Sequence, residues 1–212
     1  MLMVMSAVAI FAVMDTLSKY LTRFYPVLLV AWARYAFHLI LVVLALGPRL
    51  GSGLVRTPRP GAQLVRGLLL AIASIAFISA VKYMPLAESS AIAFLGPLLV
   101  TLLSVVFLKE KVEPARWIAV VCGFFGVLMI IRPGGNVFSW AVLFPLVNAI
   151  AFASYQILTR RLSGLESPYT SIFYSGLVGT VLLSLTLPYA WTPPQNGLHL
   201  ALFMISGLLG GL

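Results

Sequence analysis

From Ser89 to Leu108 the chain runs through 20 residues without a charged side chain, and Gly96-Pro97 sits near the middle of that run. A helix rising 1.5 Å per residue covers about 30 Å in 20 residues, the thickness of the hydrocarbon core of a bilayer. Proline removes a backbone donor and kinks the helix it interrupts. At that depth the freed carbonyls must be covered by protein or by a water-lined cavity, so the kink is expected to face inward. An ordinary packing kink fits as well, because proline is commoner in membrane helices than in soluble ones. The cluster Lys109-Glu110-Lys111 ends the run.

Composition places the rest of the chain in the same solvent. Of 212 residues, 61% are apolar and 9% charged, with a mean hydropathy of +1.07, where a soluble domain carries about 25% charge. This is an integral membrane protein. The net charge of +9 does not mark a nucleic-acid surface, because the basic residues stand at the ends of apolar runs and form no single stripe. The single Cys122 lies inside an apolar run and is expected as a buried, inert thiol; nothing points to a metal or a cofactor. Met1 to Met14 lacks the basic leader of a signal peptide and reads as a retained first span, expected to follow a few absent upstream residues.

Eight apolar segments can be drawn, at about 2–22, 26–47, 64–84, 86–108, 115–132, 137–159, 168–190 and a stub from 197 onward. The third and fifth have short uncharged cores, which Arg66, Lys82, Arg116 and Arg132 extend by snorkelling. The connections after segments two, four and six hold Arg49, Arg56, Arg59 and Arg66, then Lys109, Lys111 and Arg116, then Arg160 and Arg161. The other side holds at most Lys19, Arg23, Lys82 and Arg132, so the N-terminus is expected in the cytoplasm. Phe11-Ala12 and Lys19-Tyr-Leu21 recur as Phe152-Ala153 and Arg160-Arg-Leu162 at an offset of 141, and Pro26 is answered one residue out of phase by Pro168. Five spans separate the copies, and an odd number inverts the second, as in many secondary transporters. A second copy as long as the first would continue past Leu212, so spans eight to ten are expected to be partly or wholly absent.

Asp15 is the only acid inside an apolar span, and Lys19 follows at i+4 in the favourable acid-first order. Arg34 lies eight residues past Pro26, about 12 Å deep by helical rise, so Asp15, Lys19 and Arg34 can converge near one depth. Intramembrane charges cost about 2.5–3.5 kcal/mol each on insertion scales and usually face an interior. They either line a solute path or lock the first two helices together. Lys82 and Glu88 flank the turn at Pro85 and read as a surface pair, which contributes little. Asn148, Tyr155 and Gln156 suit hydrogen bonds to a ligand or between helices. Gly123 with Gly126, and Gly176 with Gly179, are expected to let helices approach closely. His38 and His199, without carboxylate or cysteine neighbours, read as packed side chains. There is no His-Glu-x-x-His, no Gly-x-Ser-x-Gly and no phosphate-binding glycine loop, and one intramembrane acid cannot form a two-aspartate protease.

Lys19 closing the first span, Pro26, Arg34 early in the second, and the Tyr83 to Glu88 turn followed by small residues make a recognisable series. Pro97, Glu110, Gly123 and Gly126 continue it, and together they resemble the EamA-type transporters of the drug/metabolite transporter superfamily over nearly the whole chain. The resemblance implies an all-α polytopic membrane protein, an inverted repeat of five-helix halves. Ten helices are expected in full and about seven and a half here, with 1–132 the first repeat and 137–212 an incomplete second. It implies a secondary transporter of a small organic metabolite in the inner membrane, working by alternating access, with the bilayer and a small solute as partners. No cofactor or nucleic acid is implied, and homo-oligomerisation stays open. Asp15, Lys19, Arg34 and Tyr35 would form the charged cluster on the solute path; Ser90, Pro97, Asn148, Tyr155 and Gln156 would line the cavity, and Glu110 is the family motif. The run Met14 to Leu21, with Tyr25-Pro26 and Ala33-Arg34-Tyr35, resembles the family's riboflavin and S-adenosylmethionine carriers, where Arg34, Trp32 and Tyr35 could offer charge and stacking. Two rivals stand beside this reading: a half-transporter acting as an assembly subunit, and a membrane enzyme on a lipid-linked substrate.

Overall fold

The computed structural model describes residues 2–110, 112–131 and 140–210; Lys111 and Arg132 lie outside them. Ten α-helices follow one another: α1 (Leu2–Leu21), α2 (Val27–Leu50), α3 (Pro60–Tyr83), α4 (Leu86–Ala93), α5 (Leu95–Leu103), α6 (Pro114–Ile131), α7 (Leu143–Leu162), α8 (Pro168–Ser184), α9 (Leu187–Ala190) and α10 (Gly197–Leu209). Among the described residues there is no strand. Four helical stretches, Val27–Leu54, Pro60–Tyr83, Leu86–Leu108 and Trp140–Leu162, are long and apolar enough to cross a membrane. Leu44, Ile118, Met129 and Leu185 stand exposed. In water such surface would cost roughly 25 cal/mol per Å²; against lipid it costs nothing.

The proline break falls where backbone chemistry requires. An N–H at Pro97 would have bonded to the Ala93 carbonyl, and the ring crowds that carbonyl instead. α4 accordingly ends at Ala93 and α5 resumes at Leu95, with Phe94 at φ -64° and ψ -6° between them. Past Leu103 the helix widens into a π turn, Ser104–Leu108, and stops at Lys109, a non-glycine residue at φ 54°. Gly96 is the inward side of the break, its Cα placed so that a Cβ would lie 3.7 Å from Phe152, while Pro97 itself is exposed.

The chain divides into two compact units, Met1–Ala71 with Gly164–Leu212, and Ile72–Ser163. In the first, α2 is central, packed by α8 and by α10, with α1 against α10. The α2–α8 seam is built on glycine. A Cβ on Gly179 would stand 2.4 Å from the Tyr35 ring, and one on Gly176 2.9 Å from His38. The expected close approach is therefore found. Gly207 of α10 plays the same part against Phe37. In the second unit α7 is central against α4 and α5, and α6 packs on the same pair. Its core gathers Met84, Ile92, Val127, Ala141 and Val142. Gly123 meets Leu98 there, whereas a methyl group on Gly126 would find nothing within 4 Å, so only one of that pair serves packing. Cys122 is exposed on α6, contrary to the buried thiol expected, because that stretch of α6 turns most of its residues outward.

Helix boundaries keep the internal offset. α7 ends 141 residues after α1, and α8 begins 141 residues after α2.

Candidate functional site

In the first unit, α1 and α2 supply the four charged-cluster residues. Asp15, Lys19 and Arg34 are half-buried and Tyr35 is buried. Arg34 directs Nη1 to the Met14 sulfur at 3.9 Å, and its guanidinium carbon lies 5.8 Å from the Tyr35 ring centroid. Gly207 of α10 lies close to the Arg34 carbonyl, where an added Cβ would stand 3.0 Å from it. Asp15 and Arg34, both half-buried on α1 and α2, can each hold a polar group of a solute by charge-assisted hydrogen bonds.

Tyr35 is part of the wall. Its hydroxyl donates to the Leu70 carbonyl at 3.0 Å and its ring fills the groove at Gly179, which leaves no free face for stacking. Trp32 turns elsewhere, donating Nε1–H to Ser184 Oγ at 2.9 Å and meeting Trp191 edge-on at 6.2 Å. The histidines are packed, as read. His199 sits among Tyr20, Phe24 and Tyr25, with its Nδ1 hydrogen-bonded to the Tyr25 hydroxyl at 2.8 Å. His38 is buried beside Gly176.

The second unit holds the remaining residues. Asn148 donates to the Ala73 carbonyl at 2.9 Å, which settles its side-chain amide as a bond between α7 and α3. Tyr155 and Gln156 are half-buried, and the Tyr155 ring stacks on Phe152 at 6.0 Å and 28°. Ser90 is half-buried in the last turn of α4, and its carbonyl accepts the Phe94 N–H at 3.0 Å. The Pro97 carbonyl accepts the Thr101 hydroxyl at 3.1 Å. Glu110 pairs with Arg160 at 3.3 Å, and Arg161 donates to the Phe107 carbonyl at 2.6 Å, so the basic end of α7 fastens the end of the π turn. Both partners of the ion pair are about half exposed, so it contributes at most about 1 kcal/mol. Lys82 lies over the Tyr83 ring, 5.7 Å from its centroid, and among the described residues no ion pair joins it to Glu88.

The largest departure from expectation is Arg66. Snorkelling at a helix end would leave it exposed, yet it is 3% exposed. The reason is that α3 begins at Pro60, four residues earlier than the apolar run suggested, which carries Arg66 into the second turn. There it donates from Nη2 to the Ser171 carbonyl and to Ser175 Oγ, and neighbouring Gln63 donates to Ser171 Oγ at 3.1 Å. The i, i+3 spacing of Gln63 and Arg66 was the available signal.

The EamA-like transporter family model matches residues 1–132. The chain belongs to the EamA-like transporter family. It is 30% identical over 210 residues to a riboflavin transporter of Rhizobium johnstonii, covering 98% of this chain and 68% of that protein. It is 30% identical to an S-adenosylmethionine uptake transporter of Rickettsia conorii, covering 93% and 67%. A pseudopaline exporter of Pseudomonas aeruginosa is 29% identical, covering 94% and 71%. The fold is shared with a protein of known crystal structure at a TM-score of 0.67 and 22% identity, covering 97% of this chain and 75% of that one. As an EamA family member the chain is a multi-pass membrane transporter, and neither an assembly subunit nor an enzyme finds support among these relatives.

Proposed function

We propose that this EamA protein is a secondary carrier that takes up a small polar metabolite with a planar ring system, of the riboflavin or nucleoside type, by alternating access. The observation that carries this reading is that Arg34 on α2 and Asp15 on α1 are both half-buried, in a chain whose riboflavin-transporting relative is matched over 98% of these residues. Arg34 offers N–H donors to carbonyl or carboxylate oxygens of the solute, Asp15 an acceptor for its N–H or O–H groups. In the second unit, the break before Pro97 would let α4 and α5 bend separately. The basic connections favour an inner-membrane protein with its N-terminus in the cytoplasm. In this reading the protein releases no chemical product, binds no nucleic acid, and works alone or as a homo-oligomer.

Export is the second reading, favoured by the pseudopaline exporter among the relatives. Labelled riboflavin and S-adenosylmethionine uptake, in auxotrophic cells expressing the protein or Arg34→Ala, separates the two. Accumulation that Arg34→Ala lowers at least tenfold at equal membrane abundance supports uptake through Arg34. Accumulation of neither solute, with reduced retention of a preloaded one, would replace uptake by export.

A further inference from the structure

The first unit is joined to the rest of the chain at two places. One lies in the middle of α3, after Ala71; the other is Ser163-Gly164, just ahead of α8. Gly164 has φ 81°, the left-handed region that glycine enters without strain. Arg66 stands five residues before the first crossing and Ser171 seven residues after the second. The Arg66 and Gln63 hydrogen bonds to Ser171 and Ser175 therefore tie together the two stretches that lead out of this unit. Nearby, Thr57 donates to the Glu166 carboxylate at 2.8 Å, Thr170 to the Gly53 carbonyl at 3.3 Å and Tyr174 to the Val55 carbonyl at 3.1 Å.

We propose that Gln63 and Arg66 of α3, with Ser171 and Ser175 of α8, form a releasable lock on these two crossings. Two features make it releasable. Its bonds to α8 end on hydroxyls and a backbone carbonyl, neutral partners that water can replace. The Gln63 Oε1 is fully buried without a partner, so closure leaves an acceptor unsatisfied that opening would hydrate. At Gly67 the two helices come close, a Cβ there standing only 2.7 Å from Val178 Cβ. Arg66 is a charge buried by protein near the start of α3, a costly placement that asks for a use. The lock rests on the carrier reading, because only a protein that changes access needs to open it.

The test is a removable cross-link. Gly67→Cys and Val178→Cys, with Cys122→Ser, put two Cβ atoms within about 1 Å of the separation a disulfide takes. In membrane vesicles, riboflavin uptake is expected to fall at least tenfold on oxidation and to return on reduction. Oxidised protein that transports at the reduced rate, or cysteines that never cross-link, would overturn the lock. A second arm needs no solute: Ser175→Cys in the same background should be alkylated within minutes by a maleimide, and at least tenfold more slowly once 67 and 178 are linked. A thiol unreactive in both states, released only by denaturant, marks a static seam and overturns the proposal. If the reduced protein carries no riboflavin, the riboflavin reading fails and the alkylation arm still decides the lock.

Discussion

At Gly179 an added methyl group would stand 2.4 Å from the Tyr35 ring, and that ring cannot withdraw because its hydroxyl is fixed on the Leu70 carbonyl. Overpacking of this kind costs about 1–3 kcal/mol. Gly179→Ala should therefore lower the thermal midpoint in detergent by several degrees. Gly126→Ala should leave it unchanged or raise it, since the space there is open and alanine outranks glycine in a helix by about 1 kcal/mol. Thermal unfolding followed by intrinsic fluorescence distinguishes the two; equal effects would show that the seam is not glycine-limited. In the sequence these glycine pairs looked alike, because a three-residue spacing says which face is smooth and nothing about what meets it. Tyr35 carried the same ambiguity. Its type suited stacking on a solute, and only its neighbours show that both its face and its hydroxyl are already occupied.

At the scale of helices, charge-free length was enough to locate nearly every element, because a bilayer demands about 20 apolar residues in register with it. The broken fourth span was legible too, though its break lies at Phe94, a turn ahead of the proline that causes it. Pro97→Ala would return a donor to the Ala93 carbonyl and join α4 to α5. We expect that variant to be more heat-stable and to transport at least tenfold more slowly, measured as initial uptake at equal abundance. Undiminished uptake would show that the break is a packing feature only. The start of α3 was not legible. Pro60 opens a helix as readily as it ends one, and the four residues gained turn Arg66 from an interfacial anchor into a buried bond donor. Arg34 and Asp15, deep inside long apolar runs, left no such choice.

For the whole molecule, the 141-residue offset read from a few matched residues is kept by the ends of α1 and α7. The membrane orientation expected from the distribution of Lys and Arg is open to direct measurement. With Cys122→Ser as background, Ser52→Cys should react with an impermeant maleimide only in inverted vesicles, and Gln195→Cys in intact cells; both residues are exposed, on connections expected at opposite faces. The reverse pattern would place the N-terminus outside.

The measurement that bears most directly on the carrier reading is counterflow in proteoliposomes of the purified protein, preloaded with unlabelled riboflavin and supplied with labelled riboflavin outside. The account predicts a transient overshoot of labelled solute, recovered chemically unchanged, and its loss in Arg34→Ala vesicles holding the same amount of protein. An overshoot that Arg34→Ala leaves intact would remove Arg34 from the path, and labelled solute recovered as a different compound would contradict a carrier altogether.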